Sequence, residues 1–223
     1  MNKLIALEDA VERIPDGASL LIGGFMAVGG PNRLVDELIR QGKRELTIIA
    51  NDTARPSQGL GKLVVERLVR RVVTSHIGLN AETQRQMIAG EIEVELVPQG
   101  TLAERIRAGG VGLGGVLTPT GVGTVVEEGK RTLEIDGRSY LLDLPIRADF
   151  ALIAAKQADL YGNLTYALTA RNFNPIMALA AETVIAEADD IVPVGCIPPD
   201  AVMTPSVLVD HLVTARHPHH PQH

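Results

Sequence analysis

Tryptophan is missing from this 223-residue chain, and aromatic residues of all kinds make up only 3% of it. So few rings exclude a platform for stacking nucleic-acid bases. Cysteine is nearly missing too. The lone Cys196 cannot form an intrachain disulfide, which fits a reducing compartment. It stands in the apolar run Val194-Gly195-Cys196-Ile197 and reads as a small buried hydrophobe. There is no excess of positive charge: 21 Lys and Arg face 27 Asp and Glu, a formal net charge of −6, so nothing draws the chain to DNA, RNA or anionic lipid in general. No apolar run has the length of a transmembrane helix. The N-terminus reaches Glu8 and Asp9 too soon for a signal peptide, and a cytoplasmic protein is expected. His217, His219, His220 and His223 crowd a Pro-containing tail that reads as a frayed terminus rather than a metal site, and no metal is expected.

What is present is aliphatic. Hydrophobic residues are 45% of the chain, enough for a sizeable core in one domain, residues 1–216, followed by a disordered tail, 217–223. The most telling stretch runs from Asp16-Gly17 through the apolar Leu20-Leu21-Ile22 to Gly23-Gly24-Phe25-Met26-Ala27-Val28-Gly29-Gly30-Pro31. It reads as a strand, a glycine-bounded loop and a helix opening at proline. Glycines let backbone approach a ligand closely, and the free N–H groups of a first helical turn attract negative charge. A phosphate, pyrophosphate or carboxylate is the expected ligand class.

Strand and helix signals alternate through the first half. Helices are expected at 7–14, 31–41, 60–70, 82–89 and 101–108, the last marked by the capping-box spacing of Thr101 and Glu104. Strands are expected at 18–22, 46–50, 72–75 and 94–97. This pattern predicts an α/β fold, a mostly parallel open sheet with helices on both faces. Ligands of such sheets sit at the carboxyl ends of strands, which here are Gly23-Gly24, Asn51-Asp52, Ser75-His76 and Gln99-Gly100. The middle differs. Seven glycines between Gly109 and Gly123 are interleaved with apolar residues and read as an ordered loop near the active site, not a linker. Asp136-Gly137 between apolar runs signals a small antiparallel hairpin region within 124–145. Strands at 150–154, 183–186 and 191–194 and a helical stretch at 176–181 complete the plan.

The glycine loop fails the common phosphate-loop tests. Gly24 and Gly29 have Walker A spacing, but Gly30-Pro31 stand where Lys and Ser or Thr belong. The dinucleotide pattern G-x-G-x-x-G fails at Phe25-Met26. On spacing alone, an ordinary strand–turn–helix junction explains the run as well as an anion site does.

The run from Asp16 to Pro31 resembles the signature of the class I (3-oxoacid) coenzyme A transferases: Asp-Gly, two positions, three apolar positions, then Gly-Gly-Phe-x-x-x-Gly-x-Pro. Val97-Pro98-Gln99-Gly100-Thr101-Leu102-Ala103-Glu104, Leu117-Thr118-Pro119-Thr120-Gly121-Val122-Gly123-Thr124 and Ala170-Arg171-Asn172-Phe173-Asn174-Pro175 are also similar to that family's α subunits. The resemblance spans roughly residues 1–215 and is strongest to the bacterial acetate/acetoacetate type.

The resemblance implies CoA transfer between a short acyl-CoA and a small carboxylate, through a glutamyl-CoA intermediate. The CoA thioester would be substrate, with no permanently bound cofactor. The nucleophilic Glu would lie on a β subunit, in an assembly expected to be α2β2. Gly24, Phe25, Met26, Ala27, Val28, Gly29 and Gly30 would form the CoA-binding loop, with Asn51 near the acyl and thiol end. Gln99 would donate to the thioester oxyanion. Glu91, Glu93, Glu95, Glu127 and Glu128 read as solvated faces, Arg33, Arg55 and Arg171 as surface arginines, and His76 as a structural imidazole. Two other readings remain: a stand-alone sugar-phosphate isomerase-like or anion-sensing module of the same fold, and a scaffold for β without chemistry of its own.

Overall fold

The computed structural model describes residues 2–215, so the expectation for the histidine-rich tail lies outside the described residues. The central sheet joins β1 (Ser19–Ile22), β2 (Leu46–Asp52), β3 (Val69–His76), β4 (Glu93–Leu96), β8 (Ala148–Asp159), β10 (Ala181–Val192) and β11 (His211–Thr214) in the order β11-β10-β8-β1-β2-β3-β4. Every pairing along that path is parallel, and the short β9 (Leu164–Thr165) adds antiparallel to β8. A separate antiparallel sheet has the order β5-β7-β6, from β5 (Val116–Thr118), β6 (Arg131–Ile135) and β7 (Arg138–Asp143). Its turn is the expected one: Asp136 and Gly137 both have positive φ, 50° and 72°, as a two-residue hairpin turn requires.

Alternation along the strands divides the core into two layers. Leu20, Ile22, Ile48, Ala50 and Val72 pack against α1 (Leu7–Glu12), α2 (Asn32–Arg40) and α3 (Gly61–Val65). Leu21, Ile49 and Val73 pack on the other face against α5 (Gln99–Gly110) and α6 (Asn174–Met177). The remaining helix, α4 (Ala81–Ile88), lies beside α3 and is capped by Asn80, whose side chain accepts from the Thr83 N–H at 3.1 Å. Both sheet faces are therefore covered by aliphatic side chains, as near-continuous apolar strands demand.

Several boundaries differ from the sequence reading. The helix expected over 60–70 ends at Val65, because Val69 already pairs with Leu46 in the sheet. The helix expected from Thr101 starts at Gln99 with Pro98 as cap, and the Leu102 N–H bonds to the Pro98 carbonyl at 2.9 Å. Thr101 is thus inside the first turn, and Glu104 pairs with Arg107 instead of closing a capping box. The strands expected at 183–186 and 191–194 are one, β10, which continues through the polar Glu187–Asp190. It stops at Val192, where Pro193 has no N–H to give. The chain then turns, the Cys196 N–H bonding to the Pro193 carbonyl at 3.2 Å, and Cys196 is exposed, not buried.

β1 sits between β2 and β8, and the chain winds away from it in both directions: to β2, β3 and β4 on one side, and to β8, β10 and β11 on the other. The order reverses at the β1/β8 boundary, and the cleft beyond those strand ends is where open α/β sheets bind ligands.

Candidate active site at the carboxyl edge of the sheet

The glycine stretch leaves β1 at that cleft and folds back at once. The Phe25 N–H bonds to the Val28 carbonyl at 3.0 Å, and the Val28 N–H to the Phe25 carbonyl at 2.9 Å. Met26 and Ala27 form the tip with φ of 48° and 67°. Two positive φ values fit a turn that normally favours Asn-Gly, so side chains there are held at a cost of ~1–2 kcal/mol per residue. Such strain persists only where the surroundings over-determine it.

They do so from three sides. The Asp52 carboxylate accepts the Met26 N–H at 2.9 Å. Asn172 accepts the Gly24 N–H at 3.1 Å and donates to the Val28 carbonyl at 3.0 Å. Asn174, wholly buried, donates to the Gly29 carbonyl at 2.9 Å and accepts the Ala154 N–H of β8 at 3.0 Å. Contact is so close that a Cβ on Gly29, whose φ is +70°, would lie 2.4 Å from the Ala170 carbonyl oxygen.

This bracing changes the electrostatic expectation. The N–H groups of Gly24, Phe25, Met26 and Val28 all have protein acceptors. The first turn of α2 is occupied as well: the Leu34 N–H donates to Glu187 Oε2 at 2.9 Å, and the Arg33 N–H also serves that carboxylate. Pro31 caps this helix and is not its first residue. The first-turn amides that sequence spacing offered to an anion are therefore filled by the chain's own glutamate. Burial pushes the Glu187 carboxyl above its usual range, with the Leu34 and Arg33 N–H groups and the Arg33 charge pulling the other way.

The four strand ends do converge. Gln99, at the start of α5, donates from Nε2 to Asn51 Oδ1 at 2.6 Å. Asn51 donates from Nδ2 to Asp52 Oδ2 at 2.9 Å, and its carbonyl accepts the Ser75 hydroxyl at 2.6 Å. Gln99 is exposed, whereas Asn51 and Asp52 are buried. An open cavity of about 520 Å³ lies against Gln99, lined by Phe25, Val28, Gln99, Ala103, Phe173 and Ile176 among others. Phe25 is 47% exposed and Val28 53%, so the loop offers apolar side chains at the cavity mouth. A second cavity of about 370 Å³ lies past Gly29 and Gly30 toward Lys156, Tyr166 and Glu187. The first holds the Gln99 amide, a group able to donate to a developing oxyanion, and is the better candidate for chemistry.

Other polar candidates sit apart from it. Arg33 bonds to the Thr214 carbonyl, and Arg55, Arg171 and His76 are exposed. Glu95 is only half-solvated and pairs with Arg105 at 2.7 Å and Arg71 at 2.8 Å; burial opposes its ionisation, but the two guanidinium groups outweigh it and lower its pKa. Glu91 is tied to Arg85 at 2.9 Å. Among the described residues, none that lines the larger cavity is a carboxylate.

A family model described as Coenzyme A transferase matches residues 4–215. The chain belongs to the coenzyme A transferase family. It is 55% identical to the acetate CoA-transferase subunit alpha of Escherichia coli K12, over 96% of this chain and 98% of that one. It is 47% identical to the acetoacetyl-CoA:acetate/butyrate CoA transferase alpha subunit of Clostridium acetobutylicum, over 95% and 97%. Among solved structures, an acyl-CoA transferase of E. coli O157:H7 (YdiF) superposes with a TM-score of 0.86 at 24% identity, covering 96% of this chain but 47% of that one. Glutaconate CoA-transferase of Acidaminococcus fermentans superposes at 0.84 with 21% identity, over 99% and 78%. Those two likenesses show the fold. Family membership does not favour the isomerase-like or sensing alternative.

Within this CoA transferase chain, sequence reasoning missed Asp52, Asn172, Asn174 and Glu187 as parts of the site's frame. Asn172 and Asn174 stood inside a family-like segment and Asp52 at a strand end, so each carried a signal. Glu187 carried none, lying in the middle of β10 and 153 residues from its partner Leu34.

Proposed function

We propose that this chain is the α half of an enzyme that moves CoA from a short acyl-CoA to a small carboxylate of the acetate, acetoacetate or butyrate type. A β subunit supplies the nucleophilic glutamate, in an α2β2 assembly in the cytoplasm. The observation that carries the reading is a cavity beside a fixed amide donor, with no carboxylate among the described residues of its walls. That arrangement supports a reading in which this chain supplies the donor half of an acyl-transfer site and a second subunit the attacking half.

In this reading the β-subunit glutamate attacks the thioester carbonyl, and the second N–H of Gln99 Nε2 meets the oxyanion. The C–S bond breaks and CoA leaves as thiolate, giving an acyl–glutamyl anhydride. The thiolate attacks the glutamyl carbonyl, forming glutamyl-CoA and freeing the first carboxylate. The acceptor acid then takes CoA by the same steps reversed. Gly24–Gly30 and Asn51 contact the CoA thioester, with Phe25 and Val28 as apolar surface for the pantetheine or acyl chain. CoA enters only as a substrate, with no permanently bound cofactor.

The test is to mix the chain with its β subunit and acyl-CoA, trap the glutamyl-CoA adduct and locate it by peptide mass. The expected outcome is an adduct on β, with the chain alone inactive. Robust turnover by the pure chain, or an adduct on one of its own glutamates, would overturn the reading.

A further inference from the structure

We propose that Asp52 is a positioning residue that sets which way the Gln99 amide faces, while the same carboxylate pins the tip of the glycine loop; this rests on the CoA-transfer reading above. Among the described residues three groups hydrogen-bond to Asp52, and all are donors. Oδ2 accepts the Met26 N–H and the Asn51 Nδ2–H, each at 2.9 Å, and Oδ1 accepts the Ala54 N–H at 2.6 Å. A carboxylate can only accept, so the end of the Asn51 side chain that faces it must be the NH₂ end. Asn51 Oδ1 then faces Gln99, and it can only accept, at 2.6 Å from Gln99 Nε2. The polarity of Gln99 follows: its NH₂ turns inward, one N–H is used on Asn51, and the other remains for the cavity. Reversing any amide in this row would set oxygen against oxygen or N–H against N–H.

The row also explains why the carboxylate is buried at 6% exposure with no cation among the described residues bonded to it: its three donors replace water. Met26 at φ 48° and Ala54 at φ 50° are both in the left-handed region, and both hand their N–H to Asp52. One side chain thus fixes two strained backbone positions and one amide orientation.

The test variant is Asp52→Asn, of equal size. Its amide has one accepting oxygen where two are needed, and its NH₂ can face Asn51 and invert the row. In the chain assembled with β, kcat should fall by about 10- to 100-fold, no more than the ~10²–10³ loss expected for a missing oxyanion donor. The KM for acyl-CoA should move less than about threefold. The deciding readout is the double variant. In a Gln99→Ala background, Asp52→Asn should cost at most about a third of the fold-loss in kcat that it causes with Gln99 present, because the group it orients is gone and only the loop brace is lost. Equal losses in both backgrounds would overturn the assignment and leave Asp52 a loop brace only. A second readout needs no activity: in the full chain, the Gln99 side-chain amide proton signals should be well separated, and Asp52→Asn should collapse that separation. An unchanged Gln99 signal also overturns the relay. If the wild-type assembly transfers no CoA at all, the functional reading fails, and the amide signal alone judges the relay.

Discussion

Asn174 offers the sharpest test of how the site is held. It is fully buried, accepts the Ala154 N–H at 3.0 Å, and donates to the carbonyls of Gly29 and Ala170, each at 2.9 Å. Asn174→Ala takes the partner from the Ala154 N–H and the Gly29 carbonyl at once, while the Ala170 carbonyl keeps the Asn172 amide at 3.2 Å. Each buried orphan costs ~1–3 kcal/mol, and water entering the space recovers part of that, so the expected loss is about 3 kcal/mol. For a chain of this length that is a fall in Tm of roughly 6–12 °C. Asn172→Ala is the control: its bonds to Gly24 and Val28 lie in a partly exposed loop, and about 1 kcal/mol is expected. Gly23 supplies the internal check. A Cβ there would stand 1.8 Å from Asn174 Oδ1, so Gly23→Ala must expel the asparagine. Once Asn174 is already alanine, Gly23→Ala should add little, a strongly non-additive pair. Urea and thermal melts followed by circular dichroism measure all of these. A loss under about 1 kcal/mol for Asn174→Ala, or simple additivity with Gly23→Ala, would refute the bracing.

Two further outcomes are expected. Gln99→Ala in the assembled enzyme should lower kcat by about 10²–10³ with little change in stability; unaltered turnover in steady-state assays would make this chain a scaffold only. Glu187 has a pKa raised chiefly by burial, so its contribution to stability is fully present below its ordinary value of 4.5 and declines as pH climbs through the raised value. Urea midpoints of wild type minus Glu187→Gln should therefore decline as pH rises above 4.5. A flat difference would show that burial does not govern this group.

The sheet and its loop were legible because their causes are local. Leu20-Leu21-Ile22 and Leu46–Ala50 are apolar on both faces, Asp136-Gly137 names its own turn, and Gly23 to Pro31 announces a bend. Elements that depend on distant partners were not. β11 is four residues long and holds its place through register with Ile185–Ala188, and β5 through Leu141–Asp143. β10 was cut in two because Glu187, Asp189 and Asp190 break its apolar run. Glu187 is tolerated there because the N-terminus of α2 meets it, and Asp189 because Lys156 on the neighbouring strand lies 3.3 Å away. Thr101 and Glu104 had the spacing of a cap, but Pro98, with no N–H to satisfy, began the helix earlier. In the site, Asn51 and Gln99 were legible as strand-end polar residues, whereas their 2.6 Å contact depends on packing 48 residues apart.

The spent amides bear on which part of CoA this chain handles. A phosphate-gripping loop keeps its N–H groups free for the ligand. Here Gly24, Phe25, Met26 and Val28 have given theirs to Asn172, Asp52 and each other, and the α2 N-terminus has given its own to Glu187. Releasing them for a phosphate would break the bonds that hold Met26 and Ala27 in the left-handed region. A chain of net charge −6 adds no general attraction for a polyanion. What the edge presents outward is the apolar pair Phe25 and Val28 beside one oriented amide. That surface suits the uncharged pantetheine arm and the thioester carbonyl, and it suits the diphosphate poorly. Under the proposed reading, the charged end of CoA is therefore held away from this loop, and the loop's rigidity serves the placement of the carbonyl. Orienting a donor before the oxyanion forms avoids reorganisation at the moment of attack, and that is where a preorganised dipole contributes most.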